Sequence, residues 1–306
     1  MKKVVSTISN IGIEPSKVIL KGGMPITNLT KVITHAGIFH ADDVCSVALL
    51  ELLAGRELDV CRVNKMSDEH MIISLDRTYT IVCDIGGGRY DHHFPDENKE
   101  HYDDGVPMAS IGLIAKDISI DGKTIEEVFP GFTHEILKPI EARDNGYVTV
   151  ELRETPFGDI VKAFNPTWES GKSANDCFRE AVDVCKVLLS RFLGRIKSRV
   201  SAADVVKNAE VINNVIVLDE FVPWESHIND NIVGCIYPSN REGWCLQLAP
   251  GVLRFENRGR FEFNEYAELL TTFVHPSGFM CVTKTKEHAI ELTKFITPIN
   301  WKPAAE

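Results

Sequence analysis

The chain has 306 residues, enough for two globular domains, and its 44% hydrophobic and 25% charged content is that of an ordinary folded protein. Its formal net charge of -11 and isoelectric point near 5.4 exclude a long, sequence-independent grip on duplex nucleic acid, which needs many basic contacts to phosphate. Short oligonucleotides and small phosphorylated molecules stay open as substrates, because bound divalent cations reverse the local field.

In chain order, residues 1–30 are poorly patterned and read as an N-terminal extension of β character. Lys31–His35 reads as a strand, and Asp42 or Asp43 then caps an apolar helical run at 44–53. Further strands are predicted at 58–63 and 79–85, the latter ending before Gly86-Gly87-Gly88, with helices at 108–118 and 134–141. This alternation predicts an α/β domain over 31–150, a mainly parallel sheet flanked by helices. Ligand groups in such a sheet gather at the carboxyl ends of the strands, where His35, Asp84 and the segment after Gly88 fall.

A helical connector covers 151–205, its apolar residues from Phe178 to Val200 following a helical period. Arg191, Arg195 and Arg199 line its other face, either solvated or steering phosphate. From 206 to 306 short strands at 215–218, 232–237, 244–248 and 253–256 and a helix at 286–295 predict a smaller α/β domain. The eight cysteines form no CxxC pair and several sit in apolar runs, as buried free thiols of a reducing compartment do. With no secretory leader pattern and no bilayer-length apolar stretch, the expected location is cytoplasmic.

Chemistry concentrates in a few clusters: His35, His40, Asp42 and Asp43; Asp84; Asp91, His92 and His93; and Asp144. Each has a plain reading alone, as a helix cap, a turn or a surface pair. Together, in order and at strand ends, they form the mixed imidazole and carboxylate set that first-row divalent cations accept, in which one carboxylate can bridge two ions.

Asp91-His92-His93, following a strand that leads to Asp84, resembles the DHH phosphoesterase superfamily. Within it, Thr34-His35-x-Gly37-x-Phe39-His40-x-Asp42-Asp43, Arg89-Tyr90-Asp91-His92-His93, Asp144-Asn145-Gly146, Asn165-Pro166-Thr167-Trp168, Gly243-Trp244-Cys245 and Phe273-Val274-His275-x-x-Gly278-Phe279 resemble the melanocyte-proliferating-gene family. Members of that family are described as metal-dependent hydrolases, and the eukaryotic protein as a 3′ to 5′ RNA exonuclease. The resemblance implies a first metal on His35, His40 and Asp84 and a second on Asp42, Asp84, His92 and Asp144, with His93 facing the substrate phosphate and Asp91 orienting a histidine. It also implies a substrate-binding C-terminal domain with His275, Lys284 and Lys286 at the phosphate. The superfamily's first motif is usually His-x3-Asp-x-Asp; here His40 stands at the first Asp with one residue more after His35, leaving one or two ions open.

The function expected is hydrolysis of phosphodiesters in short single-stranded RNA or small nucleotides with Mn²⁺, Mg²⁺ or Zn²⁺, two Mn²⁺ ions being the favoured form. A phosphoanhydride hydrolase of the pyrophosphatase kind and a non-catalytic metal-binding protein are the alternatives. No membrane or stable duplex DNA partner is expected, and the oligomeric state stays open.

Overall fold

A computed structural model of the chain describes residues 11–67, 79–147, 157–251 and 256–299. The chain enters through a small antiparallel sheet, in which β1 (Val18–Leu20) pairs with β2 (Met24–Pro25) and with β6 (Ser119–Ile120), itself paired to β7 (Lys123–Thr124). Val18 and Leu20 point inward and are buried, the period-two pattern of a strand with one covered face.

The central element is β3 (Lys31–His35), flanked in parallel by β4 (Asp59–Val63) and β5 (Thr80–Val82). Parallel neighbours need a crossover, and α1 (Ala41–Ala54) supplies it between β3 and β4. All residues of α1 are buried, so the helix has no solvent face. Full burial of Val44, Val47, Leu49, Leu50 and Leu53 stabilises this layer by roughly 1.5–3 kcal/mol per side chain. It also encloses Glu51, which accepts hydrogen bonds from Arg179 (2.7 and 2.8 Å) and the Leu58 amide (3.1 Å) and pairs with Lys186 at 2.8 Å. A buried charge is tolerable only when paired in this way.

Next come α2 (Ser110–Lys116), a short α3 (Ile125–Val128), a π-helical segment Thr133–Leu137 that runs into α4 (Lys138–Asp144), and α5 (Phe157–Phe164). The helix expected at 134–141 is thus two segments of different winding. The helical period expected from Phe178 to Val200 lies within a longer helix, α6 (Ala174–Lys207). Phe178, Val182, Cys185, Leu189 and Ile196 face inward as the periodicity predicts, whereas Val200 is exposed. Arg191 and Arg195 are also exposed.

The chain divides within α6 into two compact units, Met1–Lys197 and Ser198–Glu306. In the second, six strands lie in the order β13-β14-β11-β10-β9-β8: β8 (Glu210–Ile212), β9 (Val215–Val217), β10 (Gly234–Pro238), β11 (Trp244–Leu248), β13 (Thr271–Val274) and β14 (Met280–Thr283). Only β9 and β10 pair in parallel. One face packs Val217, Ile236, Leu246 and Cys281 against α7 (Glu265–Leu270) and α8 (Lys286–Leu292). On the other face Ile216 and Cys235 meet Val206, Trp224 and Ile232. β12 (Gly259–Phe261) and β15 (Ile296–Pro298) form a separate ribbon. The strand expected at 253–256 falls largely on residues outside those described. The eight cysteines are all free thiols, and no helix among the described residues is long and apolar enough to cross a membrane. The fold is mixed α/β with a parallel sheet in the first unit, as the alternation of elements predicts.

Candidate metal centre

Strand register builds the centre. Ile33 lies opposite Val82 in the β3–β5 pair, and the Cys83 amide donates to Ile33 O at 3.0 Å, so continuing that register sets Asp84 beside His35. The Asp84 backbone turns there into the left-handed region (φ 59°), a conformation costing on the order of 1 kcal/mol for a residue with a side chain. Its buried carboxylate then has Oδ2 3.1 Å from His35 Nε2 and Oδ1 3.0 Å from His92 Nε2.

The first turn of α1 brings the next two carboxylates, where the positive end of the helix dipole favours anions. Asp43 Oδ1 accepts from the amides of His40 (2.8 Å) and Val44 (2.9 Å), so Asp43, three residues into the helix, reaches back to cap it from within. Asp42 caps a different helix: its oxygens accept from the Ser110 (3.0 Å) and Ile111 (2.8 Å) amides at the start of α2. Glu141 completes that end, accepting from the Ala109 amide at 2.8 Å and from Tyr102 Oη at 2.6 Å. A Cβ on Gly112 would fall 1.9 Å from Glu141 Oε1, which is why glycine is needed there.

Among the described residues three groups have donor atoms within 4.8 Å of one another inside each group: His35, Asp43 and Asp84; Asp42, His92 and Asp144; and Asp84, His92 and His93. Asp84 directs one oxygen toward the first group and the other toward His92 of the second. His92 Nε2 lies 3.1 Å from Asp144 Oδ2, at the end of α4, and 3.7 Å from Asp42 Oδ2. Among the described residues His40 joins no such group; it is mostly exposed, with Nδ1 3.7 Å from Asp144 Oδ1. The structure thus gathers His35, Asp42, Asp84, His92 and Asp144, and places Asp43, rather than His40, beside His35 and Asp84.

These residues fit a cation by three observations. His35 Nδ1 lies 3.0 Å from Ala36 O, which can only accept, so Nδ1 keeps its proton and Nε2 is the nitrogen that would give up its own to a cation. Asn145 Nδ2 donates to the carbonyls of Pro107, Met108 and Glu141, which turns Oδ1 toward His92 Nδ1 at 3.3 Å and fixes the same tautomer there. Lys99 donates to the same Oδ1. Finally, Asp43 Oδ2 is buried, 3.2 Å from His35 Nε2, and makes no hydrogen bond among the described residues.

The electrostatics agree. Burial pushes Asp42 well above the usual carboxylate range, and the Asp84 and Asp144 charges add to it; burial also raises Asp43. Burial would lower His35 and His92, but the facing carboxylates outweigh it and hold both up at about 11. Asp84, which burial would raise, is drawn down to about 2 by His35 and His92. In effect two imidazolium protons occupy the place of positive charge that the carboxylates demand.

Asp91 and His93 stand at the rim. Asp91 Oδ2 accepts from the Gly87 amide at 2.6 Å, and Oδ1 lies 2.8 Å from His93 Nδ1. That contact leaves His93 Nε2 directed outward, and the Asp91 carboxylate raises the ring's pKa. Arg89 and Tyr90 both hold Asp117, anchoring this turn beside the end of α2. Before α1, Asn165 Oδ1 accepts from the Phe39 amide (3.0 Å) while its Nδ2 donates to Phe39 O (2.9 Å). Arg62 donates to His35 O and Gly37 O and lies over the Phe39 and Phe178 rings.

A cavity of about 380 Å³ opens beside the cluster, lined by His93 and Asp144, by the cations Arg143 and Lys162, and by the exposed Ile38 with the largely buried Phe39 and Ile140. Asp43, Asn145, Asn165, Arg62, Arg143 and Lys162 are therefore functional candidates that motif reading leaves without a role. In the C-terminal unit, Lys286 Nζ donates to Asp219 Oδ1 at 2.7 Å and sits over the Trp244 ring, with Lys284 just before it. His275 contacts Ser277 Oγ at 2.7 Å in the β13–β14 turn, at the opposite end of β14 from the two lysines.

The family described as "MYG1_exonuc: Uncharacterised protein family (UPF0160)" matches residues 31–296. Among curated proteins, the chain is 24% identical to MYG1 protein C694.04c of Schizosaccharomyces pombe, covering 88% of this chain and 98% of that protein. It is 25% identical to the MYG1 exonuclease of Bos taurus, over 85% of this chain and 83% of that one. The MYG1 exonuclease of Homo sapiens is also 25% identical, over 85% and 84%. No solved structure matches.

Proposed function

The chain belongs to the MYG1 family (UPF0160), and from that premise we propose that it is a metal-dependent phosphodiesterase that shortens single-stranded RNA from an end or cleaves small nucleotides. The observation that carries this reading is the convergence of two histidine–aspartate groups on the two oxygens of Asp84, beside a cavity with cationic and apolar walls. A DHH-type arrangement is part of the same proposal. His35, Asp43 and Asp84 would hold one ion, and Asp42, Asp84, His92 and Asp144 the other, Mn²⁺ being the favoured metal for this oxygen- and nitrogen-donor set.

Bound divalent cations would supply Lewis acidity, lowering the pKa of a water and offsetting phosphate charge. The chain's own residues do the rest. His93, held at Nδ1 by Asp91, offers Nε2 to a phosphate oxygen or the leaving oxygen. Lys162 attracts the anion locally in a chain of net charge -11, with less from Arg143, which Asp159 already pairs. The exposed Ile38 offers an apolar surface to a nucleoside, and 380 Å³ lies at the small end of the ligand-site range, the scale of a single terminal residue.

The apolar wall separates this reading from a pyrophosphatase, whose compact anion needs cations on most sides; here Arg143 is itself paired with Asp159 at 2.6 Å. The test is a hydrolysis screen of dinucleotides, short single-stranded RNA and pyrophosphate with Mn²⁺, Mg²⁺ and Zn²⁺ and with a chelator. Chelator-sensitive release of mononucleotides is the expected outcome. Turnover of pyrophosphate alone would make it a phosphoanhydride hydrolase, and metal binding without turnover of any substrate would make it a binding protein.

A further inference from the structure

The six-stranded sheet of the C-terminal unit has one face closed by α7 and α8, while part of the other is open. Along one row of that open face the register runs from Tyr237 to Cys245, from Cys245 to Val282, and from Val282 to Phe273. Those four side chains line a single cavity of about 920 Å³. The row has an aromatic ring at each end and a small thiol and a valine as floor. Three strand spacings separate the ends, roughly 14 Å between backbones. Phe273 is 47% exposed and Phe221, whose ring meets Tyr237 at 4.9 Å, is 54% exposed. Large aromatic rings left facing solvent across a groove mark a ligand surface rather than packing.

The groove has polar edges suited to a heterocycle. Tyr237 Oη donates to Gln247 Oε1 at 2.5 Å, and Gln247 Nε2 donates to Glu225 Oε1 at 2.8 Å, so Tyr237 is held in a fixed orientation. Arg241 stands at the rim, its guanidinium without a hydrogen bond or ion pair among the described residues, and Glu242 stands beside it. One free cation next to a carboxylate attracts a phosphate but cannot hold a polyanion by charge. What the groove offers is stacking, with one phosphate contact.

We propose that this row, Tyr237 to Phe273 with Phe221 and Arg241, is a base-stacking subsite for single-stranded nucleic acid, holding nucleotides of the substrate by their bases. The inference rests on the phosphodiesterase reading for its biological sense, but binding in the groove is measurable without catalysis. Every base has a π face, so the subsite is tolerant of sequence, and its salt dependence is shallow, that of about one phosphate contact.

The experiment titrates the full chain, treated with chelator to silence turnover, against a short fluorescent oligoadenylate. Phe273→Ala is expected to raise Kd about tenfold, the worth of one base–ring stack, and Phe273→Tyr to restore it. AMP should displace the oligonucleotide, and ribose 5-phosphate, which lacks the base, should not. Metal-dependent hydrolysis of bis(p-nitrophenyl) phosphate, a diester without a nucleobase, should be the same in wild type and variants. Unchanged Kd in Phe273→Ala, or equal competition by ribose 5-phosphate, overturns the proposal. So does a wild-type dimer that Phe273→Ala dissociates while Kd stays the same, since the face then belongs to a second copy. Oligonucleotide binding that depends on Phe273, in a protein that hydrolyses no phosphoester, would uphold the subsite and reject the phosphodiesterase reading.

Discussion

The two units handle polarity in opposite ways. Among the described residues the buried charged side chains, Asp42, Asp43, Glu51, Asp84, Asp91, Glu141 and Lys186, with His92 beside them, all belong to the N-terminal unit. The buried polar side chains of the C-terminal unit are two threonines, Thr283 and Thr293. The first unit therefore encloses carboxylates that need balancing positive charge, supplied at Glu51 by Arg179 and Lys186 and at the centre by the His35 and His92 rings, in a donor set that could also hold a cation. The second closes an apolar core and leaves aromatic rings on the surface. On the proposed reading, chemistry in the first would depend on closely fixed positions, whereas recognition in the second would rest on rings exposed at the sheet surface.

The largest effect should come from the carboxylate shared by both groups. Asp84→Asn removes the charge but keeps the shape; metal content and kcat should both fall, kcat by at least about a hundredfold, beyond the 10–100-fold typical of residues one shell out. Elemental analysis alongside turnover checks it, and wild-type metal content at wild-type rate would break the contrast between the units. His93→Ala comes next: with its ring at the rim, metal is retained while kcat drops by about 10²-fold, the low end for a proton-transferring or charge-stabilising side chain. His92→Ala should lose metal instead, and equal metal loss in both would reverse their roles.

Asp43 and His40 sharpen the same line more finely. Asp43→Asn should lower the bound metal stoichiometry, whereas His40→Ala, altering a mostly exposed ring, should keep it; the opposite result would restore the ligand set implied by the motif's resemblance. The smallest effect is a pH dependence. Without a cation, His35 and His92 are held up at about 11, so their pairing contributes stability that is full below the ordinary value of 6.5 and is lost as pH rises toward 11. Raised Asp42 and Asp43 act in the same direction, since the folded form holds their protons more tightly than the unfolded one. Asp84, drawn down to about 2, loses its contribution only in strong acid. A cation replaces the ring protons, so its binding tightens with pH. The gap in Tm between metal-loaded and chelator-treated protein should widen by a few degrees between about pH 6 and pH 9; a gap that narrows would refute this charge balance.

Much of this was legible in the sequence because strand ends and residue chemistry coincide. The alternation of strand and helix predicts a parallel sheet with His35, Asp84 and the segment after Gly88 at its strand ends, while the metal role of His92 comes only from the family resemblance. Asp43 was harder: an acidic residue in a helix's first turn reads equally as a cap, and here it does cap while also facing His35. Asn145, Arg62 and Asn165 act through side-chain bonds to backbone far away in sequence, which no periodicity records. The two- and three-residue strands β1, β2, β6 and β7 are too short to show alternation. In the C-terminal unit, the row from Tyr237 to Phe273 depends on the register of four strands and is invisible before they pair.

The Asn165 bonds to Phe39 span 126 positions. The turn that delivers His35, Asp42 and Asp43 is thus pinned by a residue synthesised long after them, and closing so long a loop is among the slower events in folding. That turn is complete only once Asn165, just after α5, has docked on the Phe39 backbone.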